Sequence, residues 1–181
     1  MSSLTDVQRI LEIGTWNGAG SSQLIARGVS SNPLKLVTCE VIGLEVDREL
    51  AKIAKKNLRK FPFFTVIHGS IVDQHELDVE DLLGDEKEWI RQDIEMMKSC
   101  RNVLSDLPLH FDLVIFDGGE FSTYAEFKKL EGRISRYLIL DDTETRKCRR
   151  ILKEIELSDK YEVIFQSSER NGTAVILKNS H

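Results

Sequence analysis

The residues best suited to chemistry in this sequence are two glutamates and a run of glycines. In Leu11-Glu12-Ile13-Gly14-Thr15-Trp16-Asn17-Gly18-Ala19-Gly20-Ser21-Ser22 an apolar run ends in acid-x-Gly, and Gly-x-x-x-Gly-x-Gly then leads into a helical pattern. Glycines at such a turn reach backbone angles closed to other residues and let a ligand approach the main chain with no Cβ in the way. Thr15, Trp16 and Ser21 belong to the same loop. The second acid, Glu45, closes the run Ile42-Gly43-Leu44-Glu45, with Val46 after it. A carboxylate there can accept hydrogen bonds from both hydroxyls of a ribose. A later group of acids comprises Asp117 and Glu120 in Phe116-Asp117-Gly118-Gly119-Glu120 and the pair Asp141-Asp142. The pair is also placed to cap the helix that follows, since Asp141-x-x-Glu144 has capping-box spacing. Glu120 is either a proton acceptor or a solvated loop acid. Trp16 and Trp89 either stack on a flat ligand or pack. Asp73 either supports a ligand loop or begins a turn.

The dinucleotide fingerprint Gly-x-Gly-x-x-Gly is the competing reading of the loop. Here Gln23 stands where its third glycine would be, and the step from Gly14 to Gly18 is wider than that fingerprint uses. The order acid-x-Gly-x-x-x-Gly-x-Gly, then Glu45, then Asp117 resembles the class I S-adenosylmethionine (SAM)-dependent methyltransferases over nearly the whole chain. That resemblance implies SAM binding by Glu12, Gly14, Thr15, Trp16, Gly18, Gly20, Ser21, Glu45, Val46 and Asp117, with Ser70 and Ile71 lining the adenine. Within the class, Asp117-Gly118-Gly119 followed by Tyr124, and Leu140-Asp141-Asp142, look like the metal-assisted O-methyltransferases of small molecules, especially the macrocin-type branch acting on sugars. Glu120 stands where that branch has a histidine. The resemblance implies catalytic roles for Asp117 and Glu120 and a Mg²⁺ site formed by Asp117, Asp141 and Asp142. It implies O-methylation of a small hydroxylated, sugar-like acceptor. The alternatives are a SAM-binding protein of the same fold without catalysis, or an NAD-dependent Rossmann enzyme.

The elements that must position these residues alternate between short apolar runs and helix-period segments, as in α/β folds with a mostly parallel sheet. Strands are predicted at Arg9–Ile13, Val41–Val46, Phe63–His68, Phe111–Phe116 and Tyr137–Leu140, and helices at Ser21–Val29, Arg48–Lys60 and Arg146–Leu157. Two further strands, Tyr161–Gln166 and Thr173–Leu177, flank the turn signal Asn171-Gly172 and should form an antiparallel hairpin. The expectation is a single domain over residues 1–181: a Rossmann-like, doubly wound, mostly parallel seven-stranded sheet ending in that hairpin. The charged segment Gln74–Pro108 breaks the rhythm. It is expected to hold an extra helix ahead of the one leading into the fourth strand, and to cover the ligand.

Composition narrows the partners. Net charge is −5, with 41% hydrophobic and 30% charged residues, which is ordinary for a soluble globular domain and gives no footprint for nucleic acid or an anionic membrane. The basic run Lys55, Lys56, Arg59, Lys60 is expected to be the wet face of a helix. Residues Met1–Gln8 show no signal-peptide core, and no apolar run is long enough to cross a membrane. The three cysteines lack metal-ligand spacing. These features lead to the expectation of a cytoplasmic protein with reduced thiols and a small-molecule methyl acceptor as its partner, self-association being left open.

Overall fold

The computed structural model describes residues 7–32 and 38–179; most of the polar start of the chain, residues 1–6, lies outside them. Seven strands form one sheet in the order β3-β2-β1-β4-β5-β7-β6. They are β1 (Arg9–Ile13), β2 (Glu40–Glu45), β3 (Phe64–His68), β4 (Phe111–Phe116), β5 (Ile134–Asp141), β6 (Tyr161–Ser167) and β7 (Thr173–Lys178). β1 to β5 pair in parallel, whereas β7 runs antiparallel to both β5 and β6. The helices are α1 (Ser21–Ser30), α2 (Arg48–Leu58), α3 (Glu86–Met97), α4 (Thr123–Leu130) and α5 (Arg146–Glu156). The sheet is Rossmann-like and doubly wound, with a terminal antiparallel hairpin. No helix among the described residues is long and apolar enough to cross a membrane.

Both faces of the sheet are covered, and strand alternation assigns the side chains. Ile10, Val41, Leu113 and Ile115 point to one face, under Ala26 and Val29 of α1 and Ala54 and Leu58 of α2. Leu11, Ile13, Leu44, Val114, Phe116 and Leu138 point to the other, under Ile90 of α3, Phe127 and Leu130 of α4 and Ile151 of α5. Register then lines up the carboxyl ends. Ile13 lies opposite both Leu44 and Phe116, Glu45 opposite His68, and Phe116 opposite Leu140. The residues that follow those strands meet at one edge, where open α/β sheets bind ligands.

Three expectations need correction. β5 begins at Ile134 rather than Tyr137, because its polar start is held in the sheet: Ser135 donates to the Phe111 carbonyl and to Asp112, both at 3.0 Å. Residues 74–108 carry one α-helix, α3, flanked by 3₁₀ turns at Gln74–Glu76 and Leu104–Asp106, instead of two helices. The stretch after α3 is committed elsewhere, Asn102 bridging to Ser70 and the Val103 amide donating to the Ser70 carbonyl at 2.8 Å. Finally, α4 occupies a stretch with no assigned element, its apolar contact made by Phe127 and Leu130.

Candidate functional site

A cavity of about 190 Å³ opens at the carboxyl edge of β1, β2 and β4, lined by Gly14, Trp16, Glu45, Val46, Ser70, Ile71 and Asp117 and roofed by residues of α3. Its floor is built from backbone. Gly14 takes φ +88°, and a Cβ there would collide with the Asp117 carbonyl, so β1 and the turn after β4 touch with nothing between them. The amides of Gly14 and Thr15 both donate to the Leu44 carbonyl at 3.0 Å, closing the loop onto β2.

The two glutamates differ in task. Glu45 lines the cavity; its carboxylate accepts from the Trp16 amide at 2.6 Å and the Asp47 amide at 2.9 Å. Burial raises its pKa against those two amides. A carboxylate has about four acceptor positions, so two remain for hydroxyls. Glu12 is buried beneath the loop instead, accepting from Ser21 at 2.8 Å and Ser22 at 2.5 Å. Burial pushes its pKa up to about 7, with the two serines opposing. Glu12 and Ser21 therefore tie α1 to β1 and do not line the cavity. Thr15 packs over Gly43 and donates to the Leu44 carbonyl at 3.2 Å. Gly18, at φ +71°, packs against Ala54 and Leu58, whereas a Cβ on Gly20 would meet nothing. Ser70 turns inward to the backbone of Val72. Asp73 caps the 3₁₀ turn that follows it and Asn102 donates to it at 3.2 Å, so its turn role is the one seen.

Side chains the sequence did not single out complete the other end. Asp93 of α3 and Glu126 of α4 both line the cavity beside Gly118, Gly119 and Ser122. Burial raises Asp93 to about 6, helped by the charge of Glu120, and raises Glu126 to about 7 against the hydroxyls of Ser122 and Thr123. One Glu126 oxygen, Oε2, is buried with no hydrogen-bond partner. Leu77, Met96 and Met97 supply the apolar roof. Trp16 is 58% exposed at the cavity's lining, while Trp89, 51% exposed, faces an outer hollow.

The later acids come together as Asp117, Asp141 and Asp142, with carboxylate oxygens within 4.8 Å of one another. Oxygen donors of this kind are right for a hard divalent ion. However, Lys147 of α5, only 6% exposed, places its ammonium 2.9 Å from Asp117 Oδ1 and 2.7 Å from Asp142 Oδ2. Asp141 in turn accepts from the Thr173 hydroxyl at 3.2 Å. Lys147 thus offsets one of the three acidic charges from within, and its ammonium already occupies oxygens that a divalent ion would use. Burial raises the pKa of Asp117 against the Lys147 charge, whereas at Asp142 burial is outweighed by the Lys147 hydrogen bond and charge together with Asn171 and Arg170, which lower it. The capping alternative for this pair is overturned: Thr145 is the N-cap of α5 and accepts from the Lys147 amide. Glu120 joins that cap, accepting from the Thr145 hydroxyl and the Lys147 amide, both at 3.3 Å, and it lines the outer hollow rather than the cavity. Tyr124 also points away, donating to Glu154 under the Arg150 guanidinium.

Solved structures share this fold. An O-methyltransferase from Bacillus cereus in complex with S-adenosylhomocysteine (SAH) superposes with a TM-score of 0.63 at 19% identity, over 97% of this chain and 76% of that one. The O-methyltransferase TomG from Streptomyces achromogenes, in complex with SAM, gives 0.64 at 17% identity, over 98% and 75%. An rRNA methylase from Streptococcus thermophilus gives 0.55 at 12%, over 97% and 89%. The chain has the Rossmann-like methyltransferase fold. No protein-family model matches the sequence, and no curated protein matches it.

Proposed function

We propose that this protein is a SAM-dependent O-methyltransferase acting on a small hydroxylated, sugar-like acceptor. The observation that carries the reading is Glu45: a buried carboxylate fixed by two backbone amides at the wall of the cavity, across from a glycine turn that admits no side chain. The structural neighbours that hold SAM or SAH support it. Bound SAM supplies an electrophilic methyl on a sulfonium. The chain supplies the rest. Glu45 accepts the ribose hydroxyls, the Ser70–Ile71 turn borders the adenine, and Gly14 with Asp117 borders the methionyl end. Leu77, Met96 and Met97 keep water from the transfer, which strengthens every charge interaction inside. Asp93, with its pKa near 6, is the cavity acid suited to take the acceptor's proton at neutral pH. Glu120, engaged in the α5 cap, is less well placed for that task. The divalent-metal assistance implied by the resemblance would fall to Asp117, Asp141 and Asp142, and Lys147 stands against it.

Glu120's engagement favours a second reading, SAM binding without transfer. Calorimetry with SAM, SAH and NAD, followed by a panel of hydroxylated acceptors with labelled SAM, separates the possibilities. SAM and SAH should bind and NAD should not. Methyl incorporation supports the enzyme, binding with none across the panel supports the second reading, and NAD binding tighter than SAM overturns both.

A further inference from the structure

The oddest feature of the acceptor end is the address of Lys147. It lies in the first turn of α5, where the helix dipole disfavours a cation, and it is buried, which disfavours any charge. Its position is therefore bound to the acids it meets. Those acids arrive from separate elements: Asp117 follows β4, and Asp142 holds φ +56° in the loop after β5. The tip of the β6–β7 hairpin holds that loop, the Thr143 amide donating to the Gly172 carbonyl at 3.1 Å and the Glu144 amide to the Asn171 carbonyl at 2.9 Å. Three parts of the chain thus converge on one ammonium: the turn after β4, the loop after β5 and the hairpin tip that braces that loop.

We propose that Lys147 is the resident cation of this cluster, standing where a divalent ion would stand, and that methyl transfer in this protein proceeds without a metal. A divalent ion on the same carboxylate oxygens would lie within about 5 Å of the ammonium, and the two cations would repel each other. The ammonium leaves Asp117 oriented at the turn that closes over Gly14, so the cluster keeps its shape with no ion supplied from solution. The consequence for catalysis rests on the methyl-transfer reading; the exclusion of the ion does not.

The test titrates Mn²⁺ and Mg²⁺ into the whole protein by calorimetry, with Mn²⁺ also followed by electron paramagnetic resonance, in wild type, Lys147→Met and Lys147→Arg. Wild type and Lys147→Arg should show no saturable binding. Lys147→Met, shape-conserving but uncharged, should gain saturable Mn²⁺ binding, because it strips the ammonium from Asp117 and Asp142. Circular dichroism checks that each variant is folded. Should Lys147→Met not fold, the wild-type titration and the chelator arm still decide. Saturable Mn²⁺ binding by wild type, or transfer abolished by EDTA and restored by Mg²⁺, overturns the proposal. SAH binding, measured in the same samples, fails separately if the SAM reading is wrong.

Discussion

The two ends of the cavity hold their acids by different means. At the β1–β2 end, Glu12 and Glu45 are satisfied by neutral donors, two serine hydroxyls for the one and two backbone amides for the other. Most of those donors come from the loop that carries the glycines. At the β4–β5 end, Asp117 and Asp142 are held by a lysine, and Asp93 and Glu126 face the cavity from helices far apart in sequence. Fixed dipoles at the cavity wall present the Glu45 carboxylate to a neutral hydroxylated ligand. An end made of acids and one ammonium responds to protons and to cations. The first end should therefore govern cofactor affinity and the second turnover and its pH dependence.

The largest break in this contrast should come from Gly14→Ala. The new methyl meets the Asp117 carbonyl and the backbone sits at φ +88°, so no rotamer relieves the clash. Strain and overpacking together should cost about 3–5 kcal/mol. A urea melt measures this, and a variant as stable as wild type would show that the two ends are not locked together here.

Next in size is the pH dependence of stability from the acceptor end. Glu126 titrates near 7 in the fold against an ordinary value of 4.5, so between those values the native state holds a proton that the unfolded chain has released. Its favourable contribution is complete below about pH 4.5 and is lost as pH rises through 7, a swing on the order of 3 kcal/mol. Glu12, raised to about 7, adds a swing of the same sign. Glu126→Gln should therefore flatten the fall in melting temperature between pH 5 and 8 without abolishing it. An unchanged slope would mean that Glu126 is ionised in the fold.

The β1–β2 end was legible before the structure because its chemistry is local. A glycine that must take positive φ, a strand-end acid and a helix start follow one another in the chain, and alternation of apolar residues fixes which face each strand buries. The sequence-level reading nevertheless took Glu12 for a ligand contact, since spacing alone does not tell the upper side of a loop from the lower. The acceptor end resisted for a different reason. Lys147 looks like a routine helix lysine, and only the crossover from β4 to α5 sets it between Asp117 and Asp142. Asp93 and Glu126 lie in helical stretches dense with charge, and nothing local distinguishes the carboxylate that turns inward. The one available signal was amphipathic: Glu126 immediately precedes Phe127 on the buried face of α4.

A smaller effect tests the first end by itself. On the proposed reading Glu45→Ala removes the acceptor for the ribose, and it leaves the Trp16 and Asp47 amides unpaired. SAM and SAH affinity should fall by about 2 kcal/mol, some tens-fold, while the response to Mn²⁺ and to EDTA stays as in wild type. Equal SAH affinity in the folded variant would remove Glu45 from the binding site.

The smallest effect concerns the roof that joins the ends. Arg146 reaches from the start of α5 to the segment before α3, donating to the Glu80 carbonyl at 2.9 Å and the Asp81 carbonyl at 3.3 Å. It also pairs with Asp78 and Glu86, each at 3.4 Å. The residue is partly screened by solvent, so the clamp should be worth only about 1 kcal/mol. Its loss should nevertheless be visible as local opening, because the segment is charge-rich and anchored in the core by few side chains, Ile90 and Met97 of α3 among them. In Arg146→Ala, amide exchange across residues 78–97 should quicken several-fold. The amides of Gly14 and Thr15, bonded to Leu44, should keep their wild-type rates. SAH should slow the roof in both proteins if the cavity closes on its ligand. Exchange that quickens equally at both ends would show that Arg146 supports the whole fold, and an unchanged roof would show that α3 is held by its apolar face alone.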